Sequence, residues 1–350
     1  MKYTEFLRIP EISCPFSPRV NPHVDAVHAH LLQWVRDFDL IQSGTALRRF
    51  SQSRFAWLAA RCHPDANQEE LTLISEWHVW VFLFDDLFDE SEKGRQPEYM
   101  QSTLRHFLAV VTDPAARAQG PLAQALSNFW QRITLLTTPQ WQNRFISDLS
   151  EYFDASLVEA HWRAQGGPPP DLKTYIENRD KAGGVMPALD ILEIPRHINL
   201  PCSLPTSPTV ETLRRAVCRF VCWVNDIFSL RRELAGNAGM NTILVIKQVY
   251  QCTLQQAVDH LRTMIDEQMH LFHEAELALV SQSPEMHQTI QHYLIELRGA
   301  LRGYLDWLRE TSHYSVGIDN NDNLNIERGG YLLNSIGLVN DSIAIDDRIF

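Results

Sequence analysis

The sequence predicts an all-α protein, a single-domain bundle of ten or more helices. Three observations predict it. Apolar residues recur at three- and four-residue steps along most of the chain. No segment alternates apolar and polar residues convincingly, and no internal repeat divides the chain. With 45% apolar residues among 350, a sizeable core can be buried in one large domain.

The elements follow in order. The proline-bearing start, residues 1–22, reads as extended. From Val24 the pattern turns helical, with Val27, Leu31, Trp34, Val35 and Phe38 on one face. Further helices are expected at about 51–62, 68–88, 99–111, 121–136, 139–164 and 171–192. A break, NLPCSLPTSPT, occupies 199–209, since prolines cannot continue a helix. Beyond it, helices are expected at about 209–234, 240–250, 253–281 and 284–313. Leu254, Val258, Leu261, Ile265 and Phe272 share a face, as do Met286, Ile290, Tyr293, Leu297, Leu301, Tyr304 and Leu308. The domain is expected to span 23–314. Residues 315–350, with IDNNDN and ERGG, read as a loose tail whose apolar patches could dock.

Composition narrows the function classes. A formal charge of −12 and the lack of a basic stripe argue against nucleic acid. The six cysteines show no disulfide framework, and Cys218 and Cys222, one turn apart, read as buried thiols rather than zinc ligands. No apolar run approaches the roughly 20 residues of a membrane span, and the start lacks a signal peptide's apolar stretch. A cytoplasmic protein is expected.

Two polar faces stand out against this apolar background. Residues 81–90 read VFLFDDLFDE. On a helix Asp85 and Asp89 share a face, and Asp86 and Glu90 form the adjacent row. Carboxylates so crowded repel one another unless a cation sits between them. Magnesium suits them, since it takes oxygen ligands and shares its coordination with water and substrate phosphates. The alternative is a solvated helix end. Residues 220–233 read FVCWVNDIFSLRRE. Asn225, Ser229 and Glu233 form a polar line flanked by Phe220, Val221, Trp223, Val224, Ile227 and Phe228. An amide oxygen, a hydroxyl and a carboxylate in line can hold one hard cation, and Arg232 beside them can reach a phosphate. The alternative is a buried hydrogen-bond network. Together, the two faces could clamp a diphosphate through several Mg²⁺ ions.

At this point the sequence resembles a known family, the microbial class I terpene synthases. Asp85-Asp86-Leu87-Phe88-Asp89-Glu90 matches its aspartate-rich motif. Asn225 to Glu233 matches its second metal motif, Asn-Asp-x-x-Ser-x-x-Arg/Lys-Glu, in full. IPEISCPFSPRVNPHVDAV is similar to its N-terminal segment, which covers the active site on closure. Arg179 falls at its diphosphate-sensing arginine, and Ala182-Gly183 at its linker and effector turn. NAGMNTILVI resembles the helix after the second motif, with Asn241 at its start. There is one departure. The family usually ends in an Arg-Tyr pair, and here the pair is His313-Tyr314. A protonated His313 could still donate to phosphate, with Arg309 or Arg328 as substitutes for the missing guanidinium.

The resemblance implies a class I terpenoid synthase fold and chemistry. An isoprenoid diphosphate would meet Mg²⁺ (three ions, with Mn²⁺ able to substitute) held by Asp85, Asp86, Asp89, Glu90, Asn225, Ser229 and Glu233. Arg179, Arg232, His313 and Tyr314 would bind the diphosphate, and the Gly183 carbonyl would face the reacting carbon. The C–O bond would ionise to an allylic cation without a protein nucleophile. Aromatic faces would shield that cation. Phe82 and Trp307 match family positions lining the pocket, whereas Trp77, Trp80, Phe55 and Trp223 read more readily as core. Farnesyl diphosphate is the expected substrate and a cyclic hydrocarbon or alcohol the product. The alternatives are a diterpene synthase using geranylgeranyl diphosphate, or a non-catalytic isoprenoid-binding relative. A chain-elongating prenyltransferase would carry a second aspartate-rich motif, which is absent here. A homodimer is compatible with the family.

Overall fold

The computed structural model describes residues 7–89, 92–168, 171–201, 203–236, 240–282 and 286–314. Among them the chain is helical, with no strand. The α-helices are α1 (Val24–Asp37), α2 (Gly44–Ser53), α3 (Phe55–Cys62), α4 (Gln68–Asp89), α5 (Pro97–Thr112), α6 (Pro121–Ile133) and α7 (Pro139–Ala164). There follow α8 (Leu172–Ala182), α9 (Val185–Ile191), α10 (Pro208–Gly236), α11 (Thr242–Tyr250), α12 (Leu254–Gln282) and α13 (His287–Glu310). The expected tail, 315–350, lies outside the described residues.

Two helices expected as continuous are split. The segment expected at 51–62 begins earlier, with Ser43 capping α2 by accepting from the Ala46 amide at 3.0 Å. It then breaks at Arg54, whose left-handed backbone (φ 56°, ψ 42°) cannot continue a right-handed helix. The break gives α3 its own direction, and Phe55, Ala56, Leu58, Ala59 and Ala60 are all buried. The segment expected at 171–192 breaks at Gly183-Gly184, where Gly184 takes φ 64°. The proline-rich stretch separates α9 from α10 as expected, apart from a short 3₁₀ turn at Pro195–His197.

Helix α10 packs against α8, α9, α11, α12 and α13, and α4 against α1, α3 and α6. Each carries one of the two polar faces at its C-terminal end. The apolar length of α4 is held by a run of aromatic rings. Trp77 stacks on Trp80 at 5.6 Å, Trp80 on Phe84 at 5.4 Å, and Phe84 on Phe153 at 5.4 Å. Trp77, Trp80 and Trp223 are therefore core residues, at 0%, 1% and 2% exposure.

Helices α3 and α13 meet backbone to backbone. A Cβ on Gly303 would lie 2.4 Å from the Cys62 nitrogen, and one on Gly299 would lie 2.6 Å from the Cys62 carbonyl oxygen. Only glycine permits that approach, and it carries Trp307, near the end of α13, to 6.0 Å from Phe55 at the start of α3.

Residues 7–22 run outside the bundle without helix. The Cys14 carbonyl accepts from Arg302 on α13 at 3.3 Å, and Phe16 packs edge-on against Phe272 of α12 at 5.9 Å. The buried Asn21 amide donates to the carbonyls of His63 and Ala66, at 3.0 and 2.7 Å. This satisfies backbone groups at the α3–α4 connection.

Candidate active site

The C-terminal ends of α4 and α10 are joined by an ion pair. Arg232 Nη2 donates to Asp86 Oδ1 at 2.7 Å, linking the two motif helices directly. Asp85 accepts from the Tyr152 hydroxyl on α7. Asp89 closes α4 as expected. Glu90 lies outside the described residues.

On α10 the polar line is ordered by its neighbours. Asn225 Nδ2 donates to the hydroxyl oxygens of Tyr304 at 2.8 Å and Tyr314 at 2.6 Å. An amide nitrogen has two hydrogens to give, so these bonds use both and leave Oδ1 as the remaining polar atom. Ser229 Oγ donates to Glu233 Oε1 at 2.6 Å, while Glu233 Oε2 is buried without a hydrogen-bond partner. Burial, reinforced by nearby Asp226, pushes the Glu233 carboxyl up to about 7.

These residues fit a hard divalent cation. Asn225 Oδ1, Ser229 Oγ and the orphaned Glu233 oxygen are three oxygen donors at successive turns. A buried carboxylate with an unsatisfied oxygen is the group that a cation would stabilise. Among the described residues no three Asp, Glu, His or Cys side chains converge on one point. Mg²⁺ is usually bound by one or two carboxylates together with water and substrate phosphate.

Arg179, at the end of α8, is held from below. Its Nη2 donates to Asp226 Oδ1 at 2.7 Å. Asp226 is fully buried, and its Oδ2 accepts from the Thr242 amide at 3.0 Å and from the Thr242 hydroxyl. Asn241 Nδ2 donates to the Asp226 carbonyl at 2.8 Å. Burial opposes the charge on Arg179, yet the Asp226 carboxylate outweighs it and the guanidinium lies above its ordinary range. Asp226 lies inside the second polar motif of the sequence, where no role was assigned to it. It sits one residue after Asn225, so it points about 100° round the helix from the polar line, and a partner on another helix reveals its role.

The turn after Arg179 is clamped against α10. Gly183 caps α8, its amide bonding to the Arg179 carbonyl at 3.3 Å. A Cβ on Gly183 would lie 2.3 Å from Cys222 Sγ. Cys218 donates to the Asp180 carbonyl at 3.0 Å, and Cys222 to the Arg179 carbonyl at 3.9 Å. Both are thus buried thiols that meet helix-end carbonyls.

Phe82 lies at the centre of an aromatic group. Its ring is 4.9 Å from Phe55, 5.3 Å from Trp307 and 5.1 Å from His313. Three expectations change here. Trp307 is fully enclosed, with Nε1 donating to the Ser53 carbonyl at 3.0 Å, so it backs the partly exposed Phe82 instead of facing open space. Phe55, read from the sequence as core, is buried but belongs to this group. His313 was expected as a protonated phosphate donor. It is buried, its Nε2 lies 3.0 Å from Arg232 Nη1, and burial together with the Arg232 charge pulls it well below its ordinary range. The imidazole is therefore neutral. Arg309 is pointed elsewhere, pairing with Asp306 at 3.7 Å, and Arg328 lies outside the described residues.

The chain has counterparts among known proteins. A family model described as "Terpene synthase family 2, C-terminal metal binding" matches residues 76–270, which span both polar faces. Germacrene A synthase of Nostoc punctiforme is 33% identical over 309 residues, covering 88% of this chain and 95% of that protein. The (+)-T-muurolol synthase of Roseiflexus castenholzii, a (2E,6E)-farnesyl diphosphate cyclizing enzyme, is 28% identical, covering 86% and 92%. The crystal structure of an α-eudesmol synthase superposes with a TM-score of 0.76 at 23% identity, over 86% of this chain and 99% of that one, a likeness of fold. Two oxygen-rich helix ends joined across an arginine, inside a fold and a sequence that these relatives share, identify the chain as a member of terpene synthase family 2, a class I terpene synthase and so a lyase acting on an isoprenoid diphosphate.

Proposed function

We propose that the substrate is farnesyl diphosphate and the product a cyclic sesquiterpene hydrocarbon or alcohol. The observation that carries this reading is the juxtaposition, across the Asp86–Arg232 pair, of two oxygen-donor faces with the Phe82 aromatic group. The names of the relatives support the chain length: one is described as farnesyl diphosphate cyclizing.

The residues divide the work. Asp85, Asp86, Asp89 and Glu90 on one side, and Asn225, Ser229 and Glu233 on the other, would hold three Mg²⁺ ions, with Mn²⁺ able to substitute. When bound, the ions withdraw charge from the departing diphosphate oxygens. Arg179 and Arg232 offer fixed N–H donors to that anion, and Tyr314 can offer its hydroxyl. As the C–O bond ionises, the allylic cation is left beside Phe82, whose ring face stabilises positive charge and excludes water. The Gly183 carbonyl would lie toward the reacting carbon. The proton lost at the end can leave with the diphosphate, so no dedicated base is required. In the same reading residues 1–22 cap the site and 23–314 form the catalytic domain. The protein works in the cytoplasm, and a homodimer is compatible with the family.

Incubation with Mg²⁺ and, separately, geranyl, farnesyl and geranylgeranyl diphosphate, followed by gas chromatography with mass spectrometry, tests the reading. A cyclic C15 product from farnesyl diphosphate is expected. A product from geranylgeranyl diphosphate alone would overturn the chain length. Asp85→Ala and Asn225→Ala should each abolish turnover while the far-ultraviolet circular dichroism is unchanged, and normal turnover by both would overturn the metal assignment.

A further inference from the structure

We propose that His313 is a positioning residue for Arg232: its Nε2 accepts a hydrogen bond from Nη1 and so fixes the guanidinium whose Nη2 is bonded to Asp86. The inference rests on Arg232 serving the diphosphate, as in the function proposed above.

Arginine has donors and no acceptor. A 3.0 Å contact between Nη1 and Nε2 therefore requires the lone pair on Nε2, and the ring proton must sit on Nδ1. An Nε2 used in this way cannot also donate to a phosphate oxygen. The ring has little freedom to turn, because it meets Phe82 edge-on at 5.1 Å, Phe55 at 5.4 Å and Tyr314 at 4.7 Å. The next residue helps on the other side, with the Arg232 guanidinium 5.9 Å from the Tyr314 ring centroid. Arg232 is thus held by a carboxylate, an imidazole and a phenol face. A long side chain ordered before the anion arrives loses less freedom on binding, so affinity rises without a new contact.

The imidazole at this position acts on the Arg232 guanidinium. Where a second guanidinium would touch the anion itself, the imidazole directs the one that is already there.

The test uses the full chain and four variants: His313→Phe, which keeps an aromatic ring without an acceptor; His313→Gln, which restores an acceptor oxygen; Arg232→Ala; and the His313→Phe/Arg232→Ala double variant. kcat and KM are measured with farnesyl diphosphate, and the Kd of inorganic diphosphate with Mg²⁺ by calorimetry. His313→Phe should lower kcat/KM about 10- to 100-fold, the usual loss for a hydrogen bond to a charged group, and weaken diphosphate by a similar factor. His313→Gln should recover most of both. On the Arg232→Ala background His313→Phe should cost less than about twofold, because the residue acts only through Arg232. An undiminished loss on that background would mean that His313 touches the anion itself and would overturn the proposal. A His313→Phe enzyme with wild-type constants, or a His313→Gln enzyme no better than it, would do the same. Should His313→Phe fail to fold, ¹⁵N-histidine spectra of the wild-type chain at pH 7 decide. A bare Nε2 with a protonated Nδ1 supports the proposal, and a protonated Nε2 overturns it. The calorimetric and spectral readouts do not depend on turnover, so absent catalysis would count against the proposed function and leave this test standing.

Discussion

Replacing Asp226 with asparagine removes one charge and almost no volume. Asp226 is fully buried, and the side chain of its partner Arg179 is 15% exposed, with 2.7 Å between them. Breaking such a pair strands a buried guanidinium and costs about 3–5 kcal/mol. For a chain of this size that is a fall in Tm of roughly 4–7 °C. The amide can still accept from one donor, but it cannot match the charge of Arg179 while meeting the Thr242 amide and hydroxyl. Activity should fall further than stability, since Arg179 would lose its aim at the site. The assay is thermal unfolding by circular dichroism alongside product formation from farnesyl diphosphate at a temperature where the variant is fully folded. A Tm within about 2 °C of wild type, with unchanged turnover, would refute the claim that Asp226 holds Arg179 in place.

Phe82→Ala should alter the product mixture more than the fold, because the ring is partly exposed; an unchanged product profile by gas chromatography would remove Phe82 from the pocket wall. Around α7 and α9, Arg144 and Arg214 face three carboxylates, Asp148, Asp190 and Glu193. Burial, and then neighbouring Asp190, push Asp148 up to about 7; burial pushes Glu193 up to about 7 against the opposing pull of Arg144. The folded state therefore holds protons that the unfolded chain releases near pH 4, so this stabilisation is present at low pH and is lost as pH rises through about 7. Tm should be lower at pH 8 than at pH 6, and Asp148→Asn should flatten that slope; an identical slope in the variant would contradict the assignment. Gly303→Ala should lower stability by at least about 3 kcal/mol, as overpacking against rigid backbone does at its upper range, and a Tm within a degree or two of wild type would show that α3 and α13 can separate at little cost.

Much of this architecture was legible from periodicity. The faces of α12 and α13 were read correctly because a helix buries residues at fixed steps, and that rule is local. Both motif helices were legible too, since each polar face is written at one-turn spacing within a few residues. What escaped depended on partners far away in sequence. The Arg54 break has no local signal, because arginine is not a residue type that marks a left-handed turn. Asp226 was hidden because its value comes from Arg179 and Thr242. His313 could be located but not interpreted: its charge state is set by Arg232, a residue on another helix, and by the rings that exclude water around it. Trp307 was placed in the right neighbourhood, but its full enclosure behind Phe82 was not legible, since exposure is a property of the whole packing.

The seam at Gly299 and Gly303 also bears on how such a catalyst can be redesigned. With α13 in backbone contact with α3, the axis on which Tyr304 and Trp307 are mounted has no slack in that direction. A designer cannot reshape this end of the site by nudging the helix; any bulk added at the seam would shift the whole C-terminal end at once, together with Asn225's two tyrosine partners. Changes of contour are left to exchangeable side chains such as Phe82, set into a frame that does not move. Libraries aimed at new products would therefore vary those rings freely and leave the two glycines alone.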